Sequence, residues 1–325
     1  MARLAEGERR PRPRRGAVLS TAAATGLVDL HLHGAFGVDV LTAGGTDLDR
    51  LALGLGARGV EGFVPTLVPV PLSELGSILA RLSSWVRSRR PGDGRGALPL
   101  GIHLEGPFVS PSRSGALHRE CLLDGSDART VGAFFDAVGD LPGRPVVTMA
   151  PEVPGGLSLV SAFVRRGFVV SLGHTEADVP TLDAALARGA RHMTHFGNAM
   201  KPLHHRDAGP VGWGLLRDEV TVDVIADLHH LSPEMLALVK RCKGDGFALI
   251  SDAAPCAGLP DGEHLVWGET LTLSKGAVRN AAGGLAGSAA LLSDCVERLV
   301  SSGVATEEEA RRAASETPRR ILASG

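Results

Sequence analysis

The chain has 325 residues, 44% of them hydrophobic and 22% charged, with a formal net charge of −2. That apolar content can bury a sizeable core, and an α/β barrel of this length can be one domain. A near-neutral balance gives no global attraction to nucleic acid or anionic membranes, and no apolar run is long enough to predict a bilayer span. Four scattered cysteines, Cys121, Cys242, Cys256 and Cys295, form no CxxC pair and suit a reducing, cytoplasmic compartment.

The chain opens on an Arg/Pro-rich segment, Glu8-Arg9-Arg10-Pro11-Arg12-Pro13-Arg14-Arg15, which cannot pack; residues 1–20 are read as a disordered tail preceding a unit at 21–325. Short β-rich apolar runs then alternate with helical patterns. The predicted strands are 26–32, 62–68, 99–105, 145–150, 168–173, 191–196, 220–226 and 247–252. Between them, amphipathic stretches at 46–58, 72–90, 128–138, 156–166, 179–188 and 233–243 predict helices, several opened by Ser, Thr or Asp. A helical tail is expected from about 288 to 323. Strands and helices alternating through eight repeats favour a closed, TIM-type (β/α)8 barrel over an open sheet.

In such a barrel, functional groups sit at the C-terminal ends of the strands. His31 and His33 end the first strand, and their i, i+2 spacing puts both imidazoles on one face. Glu105 ends the third strand, His174 the fifth, His195 the sixth, and Asp252 the eighth. A lone histidine at a strand end is commonly structural, but this set at one rim reads as a metal site. Nitrogen and oxygen donors without thiolate suit Zn²⁺ or Fe²⁺, with Mn²⁺ or Co²⁺ able to substitute. Asp252 is the natural acid/base for hydrolysis of a carbonyl compound. The fourth strand carries no lysine for a carbamate bridge, so Glu105 must bridge if two ions bind.

Taken together, Val28-Asp29-Leu30-His31-Leu32-His33-Gly34, Gly101-Ile102-His103-Leu104-Glu105-Gly106-Pro107-Phe108, Leu172-Gly173-His174-Thr175 and Thr194-His195-Phe196-Gly197-Asn198-Ala199-Met200 resemble the N-acetylglucosamine-6-phosphate deacetylase family of the amidohydrolase superfamily. His204-His205-Arg206-Asp207, Ile225-Ala226-Asp227-Leu228-His229, Ser251-Asp252-Ala253 and Leu285-Ala286-Gly287-Ser288 continue the match in family order. The resemblance implies that Glu105, His174 and His195 hold the main metal, that His31 and His33 bind a second ion, and that Asp252 is the catalytic aspartate. It assigns sugar-phosphate contacts to the backbone at Asn198 and Ala199, to Arg206, reaching across from a partner in a homodimer, and to His229. A guanidinium fork suits a phosphate. His103 and His118 read as structural or supporting residues.

Two departures stand out. The family's small β-sandwich is apparently missing, with 25 residues before Gly26 and an end at Gly325, so a bare barrel is expected. Leu228 replaces the glycine usual beside the substrate histidine. The expected reaction is metal-dependent removal of acetate from N-acetylglucosamine 6-phosphate. The alternatives are hydrolysis of another N-acyl amino sugar or small amide, and a non-catalytic barrel.

Overall fold

A computed structural model describes residues 26–324; the tail at 1–20 lies outside them. Eight parallel strands form in chain order: β1 (Leu27–Leu32), β2 (Val60–Leu67), β3 (His103–Glu105), β4 (Val146–Met149), β5 (Val169–Leu172), β6 (His192–Met193), β7 (Thr221–Ile225) and β8 (Phe247–Ile250). Each pairs with the next from β1 to β8. The ring closes past the end of β8, where Asp252 N donates to His31 O at 2.9 Å and His33 N to Ala253 O at 3.0 Å. The outcome is a nearly closed α/β barrel.

Helices α1 (Gly45–Ala57), α2 (Leu72–Ser88), α3 (Ala128–Val138), α4 (Gly156–Arg165), α5 (Val179–Ala187), α6 (Gly209–Leu216) and α7 (Pro233–Lys243) connect successive strands. Side-chain caps set several starts, as where Asp127 accepts from Arg129 N and Thr130 N, Asp178 from Thr181 N, and Ser232 from Met235 N. The predicted helical tail resolves into α8 (Leu292–Ser301), α9 (Glu307–Ala313) and α10 (Glu316–Ala323). No described helix is long and apolar enough to cross a membrane.

Val28, Leu30, Val64, Val146, Val169, Ile225, Ala248 and Ile250 form one buried cluster, joined by Ile321 of α10. Residues from opposite sides of the ring can meet only inside it, so this cluster fills the barrel. A larger apolar layer, including Phe63, Trp85, Phe108, Phe134 and Phe163, packs the outer helices onto the strands.

A short antiparallel pair at Gly34–Ala35 and Val38–Asp39, a helix and a second sheet were not foreseen. Helix α6 reads Gly-Pro-Val-Gly-Trp-Gly-Leu-Leu, whose glycines depress helix propensity; nearly all of it is buried, so packing overrides propensity. Between β8 and α8 lies a four-stranded antiparallel sheet, β9 (Gly262–Val266), β10 (Glu269–Ser274), β11 (Ala277–Arg279) and β12 (Leu285–Ser288). Two-residue turns, Trp267-Gly268 and Lys275-Gly276, join the first three strands, with φ of 54° and 80° in one and 51° and 79° in the other. Positive φ at both positions is the hairpin turn that matches strand twist. Ala254 N to Ser288 O at 2.9 Å and Ser288 N to Asp252 O at 2.8 Å stitch this sheet to the end of β8.

Candidate metal centre

The six polar residues at the strand ends converge and are buried. Glu105 Oε1 lies 3.1 Å from both His174 Nε2 and His195 Nε2, which are themselves 3.1 Å apart. On the other side, His31 Nε2 and His33 Nε2 are 3.2 Å apart, and each is 3.3 Å from Asp252 Oδ1. Glu105 touches both groups, its Oε2 being 3.3 Å from His33 Nε2. These are two three-donor clusters, Glu105/His174/His195 and His31/His33/Asp252.

Local structure aims each group. His174 Nδ1 donates to the Arg113 carbonyl at 2.8 Å, which turns Nε2 toward the cluster. His31 Nδ1 pairs with Thr194 Oγ1 at 3.0 Å. Asp223 receives the backbone N–H of His195 and pairs with His192 Nε2 at 2.8 Å, fixing the turn that carries His195. His103 contributes no donor atom to either cluster: it bonds Thr66 Oγ1 at 3.2 Å and Thr148 Oγ1 at 2.8 Å and packs its ring on His31. Burial, then the charge of His31, pushes the pKa of His103 well below the ordinary value, so it is neutral. His118 stands farther out, its Nε2 3.3 Å from the Trp267 carbonyl.

His174, His195 and Asp252 all sit at positive φ, 49°, 30° and 49°. Each such non-glycine residue costs on the order of 1–3 kcal/mol, and such strain clusters at functional sites. Gly173 makes the turn before His174 possible, because a Cβ there would lie 2.7 Å from Thr194 Cγ2 and 2.8 Å from Thr148 Cγ2.

The electrostatics fit a cation. Burial lowers the pKa of His33, but its bonds to Asp252 and Glu105 and their charge raise it to about 10; for His195 burial is likewise outweighed by Glu105, giving about 9. Glu105 is raised by burial but held well below the usual carboxylate range by His31 and by bonds from His174 and His195. Asp252, also raised by burial, is held low by the charge of His31 and the bond from His33. Without a metal, protons must balance the buried carboxylates. An all-nitrogen-and-oxygen donor set focused this way suits a divalent ion in their place.

Above the clusters opens a cavity of about 190 Å³, lined by His33, Glu105, His174, His195 and Asp252 at its floor, and higher up by Asn198, Ala199, His230 and Trp267 among others. Asn198 and Ala199 thus line the cavity. Arg206 and His229 do not line this cavity; both are exposed, and the Arg206 guanidinium lies 2.8 Å from His205 Nε2. The pocket residues missed from sequence are His230, Val68, Gly115-Ala116-Leu117, Leu285, Gly287 and Trp267. Leu285 and Gly287 lie in a motif that the sequence offered without a role, and Trp267 left a signal of its own, since Trp-Gly between alternating apolar residues marks a hairpin tip.

No family model matches the chain. It is 37% identical over 299 residues to N-acetylgalactosamine-6-phosphate deacetylase of Escherichia coli O157:H7, an alignment covering 91% of this chain and 76% of that one. To N-acetylglucosamine-6-phosphate deacetylase of Bos taurus it is 35% identical over 311 residues, covering 92% and 74%. The structure of a point mutant of N-acetyl-D-glucosamine-6-phosphate deacetylase from Mycobacterium smegmatis in complex with N-acetyl-D-glucosamine-6-phosphate superposes with a TM-score of 0.84 at 30% identity, over 95% of this chain and 82% of that one. At this identity and coverage, the chain belongs to the N-acetylglucosamine-6-phosphate deacetylase family.

Proposed function

We propose that this protein hydrolyses the acetamide of N-acetylglucosamine 6-phosphate to glucosamine 6-phosphate and acetate. The observation that carries the reading is the convergence of Glu105, His174 and His195 on one point, with Asp252 Oδ1 and the His31/His33 pair beside it. Glu105, His174 and His195 would hold the principal divalent ion, Zn²⁺ or Fe²⁺ with Mn²⁺ or Co²⁺ as substitutes, and His31 and His33 a second ion bridged by Glu105. Bound there, the metal supplies Lewis acidity toward the amide carbonyl and makes a water more acidic.

The chain's own residues do the rest. Asp252, kept ionised, takes the proton of the attacking water and delivers it to the amide nitrogen as the C–N bond breaks, so base and acid are one carboxylate. Its backbone is fixed by the N–H bond to His31 O and by Ser288 N donating to its carbonyl. Asn198 and Ala199 orient the sugar phosphate, with Arg206 and His229 binding it from the rim. Because Arg206 stands outside its own chain's pocket, the assignment favours a homodimer in which it serves the partner. Four free cysteines agree with a cytoplasmic setting.

A second reading changes only the sugar: the Escherichia coli O157:H7 relative is an N-acetylgalactosamine-6-phosphate deacetylase. Turnover of both N-acetylhexosamine 6-phosphates by metal-loaded protein, with Asp252→Asn alongside, tests both readings. Acetate release from the gluco substrate, lost by about 10²- to 10⁴-fold in Asp252→Asn with metal retained, is the expected result. Release only from the galacto epimer selects the second reading, and no release from either rejects both.

A further inference from the structure

Trp267 stands at the tip of the β9–β10 hairpin, held at a φ of 54° by a two-residue turn. Its ring meets His33 edge-on, with centroids 5.3 Å apart and planes at 81°. Its carbonyl is 3.3 Å from His118 Nε2. The residue is therefore held from the hairpin and from the loop after β3, and its ring by the edge-on contact with His33 at the end of β1. Unlike Trp85 and Trp213, which are buried in the helix layer, Trp267 is only partly buried and lines the pocket.

The pocket walls divide by chemistry. Val68, Ala116, Leu117 and Trp267 make an apolar wall on the side of β1 and β2; Val68 and Leu117 belong to one buried cluster against which Trp267 packs. Across the floor, on the side of β6 and β7, stand Asn198, Ala199 and His230, with Gly115 against His174 and Ala199 and with Leu285 and Gly287 of β12 completing the lining. A scissile amide lying over the donor clusters must send its two substituents to opposite walls. A hexose phosphate needs hydrogen-bond partners for its hydroxyls, and burying them against side chains that offer none is costly. The hydrocarbon of the acyl group has no such need.

We propose that Trp267, with Leu117 and Val68, forms the end wall of an acyl subsite and restricts the substrate to short acyl chains. This rests on the deacylase reading above and deepens it. Trp267 acts through shape: a rigid ring closes the space into which a longer acyl chain would extend, and the strained turn behind it prevents the ring from backing away.

The test compares N-acetyl- with N-butyryl-glucosamine 6-phosphate as substrates for the metal-loaded wild type, Trp267→Ala and Leu117→Ala, with metal content and thermal unfolding measured on each. The wild type should favour acetyl. Trp267→Ala should raise the butyryl-to-acetyl ratio of kcat/KM by at least about tenfold, the low end of what one methylene is worth in an apolar pocket, and Leu117→Ala should move it the same way. A general loss of structure or metal lowers both activities and leaves the ratio alone. If Trp267→Ala fails to fold, Leu117→Ala decides. Acetyl turnover with a ratio unchanged within about twofold in every folded variant overturns the subsite while leaving the deacetylase reading intact. Turnover of neither substrate by the wild type overturns both.

Discussion

The floor of the pocket and its outer lip are built on opposite plans. At the floor, six donor groups are buried; Asp223 pins the turn at His195, and Thr194 and the Arg113 carbonyl hold the rings of His31 and His174. At the lip, beyond the cavity's lining, Arg206 and His229 are exposed, and among the described residues the Arg206 guanidinium has only neighbouring His205 as a partner. The difference separates two tasks: donors for a cation must converge before it arrives, whereas groups for a mobile anionic substrate can close on it as it binds.

The floor breaks first at Glu105, the one side chain shared by both clusters. Glu105→Gln replaces a carboxylate that faces four imidazoles with an amide that is a poor metal donor, so it should cost both bound metal and on the order of a thousandfold in kcat/KM. Metal analysis of the purified variant alongside its kinetics checks this. A variant that retained full metal and activity would show that the convergence is incidental.

Between floor and lip lies Asp227, which accepts from His229 N and His230 N at 2.9 Å each, pairs with His230 Nδ1 at 2.8 Å and receives the Ser288 hydroxyl at 3.3 Å. Burial raises its pKa, but the bond and charge of His230 and the two backbone N–H groups bring it down to about 2. The folded value lies below the ordinary one near 4, so Asp227 adds stability above that pH and loses it as pH falls toward 2. The contribution at neutral pH is at most about 2.5 kcal/mol. Asp227→Asn should therefore destabilise the protein near pH 7 by up to that amount and flatten the acid limb of the stability curve between about pH 4 and pH 2, measured by urea unfolding.

The lip should respond in binding alone. Arg206→Ala removes a charge-assisted phosphate contact under the proposed assignment, so KM for the phosphorylated sugar should rise about 10- to 100-fold with kcat little changed, while the free sugar is unaffected. Its exposure predicts a stability change within about 0.5 kcal/mol. An equal loss for phosphorylated and free sugar would place Arg206 with the floor instead.

How much of this was legible follows the same division. His31, His33, Glu105, His174, His195 and Asp252 could be read because strand ends in an eight-fold βα repeat point to one rim, and every one of those strands formed. What escaped depended on tertiary context. The left-handed backbone at His174, His195 and Asp252 has no one-residue signature, and the glycines of α6 hid a helix made by packing. The β9–β12 sheet could have been found from Trp267-Gly268 and Lys275-Gly276 with Leu271, Leu273 and Val278 facing inward, but its strands are short and sit where the repeat predicts only a connection. Arg206 was legible as a motif; its position in the fold was not, because none of the described residues buries it.

Leu228 offers the finest test of the contrast. It sits between Asp227 and His229 at a φ of 62° and is 37% exposed, so its side chain gains little burial to offset a left-handed backbone. That conformation costs a non-glycine residue roughly 1–2 kcal/mol. Leu228→Gly removes the strain and gives back about 0.4–1 kcal/mol through the greater freedom of the unfolded chain, leaving a net gain of a few tenths to about 1 kcal/mol. If the lip is an adaptable surface, this variant should show a slightly higher urea midpoint with kcat and KM within about twofold of wild type. A rise in KM for the phosphorylated sugar together with increased stability would instead mean that Leu228 holds the adjoining His229 ready at an energetic cost. The lip would then be strained for binding as His174 and Asp252 are strained at the floor, and the contrast between the two regions would become one of degree.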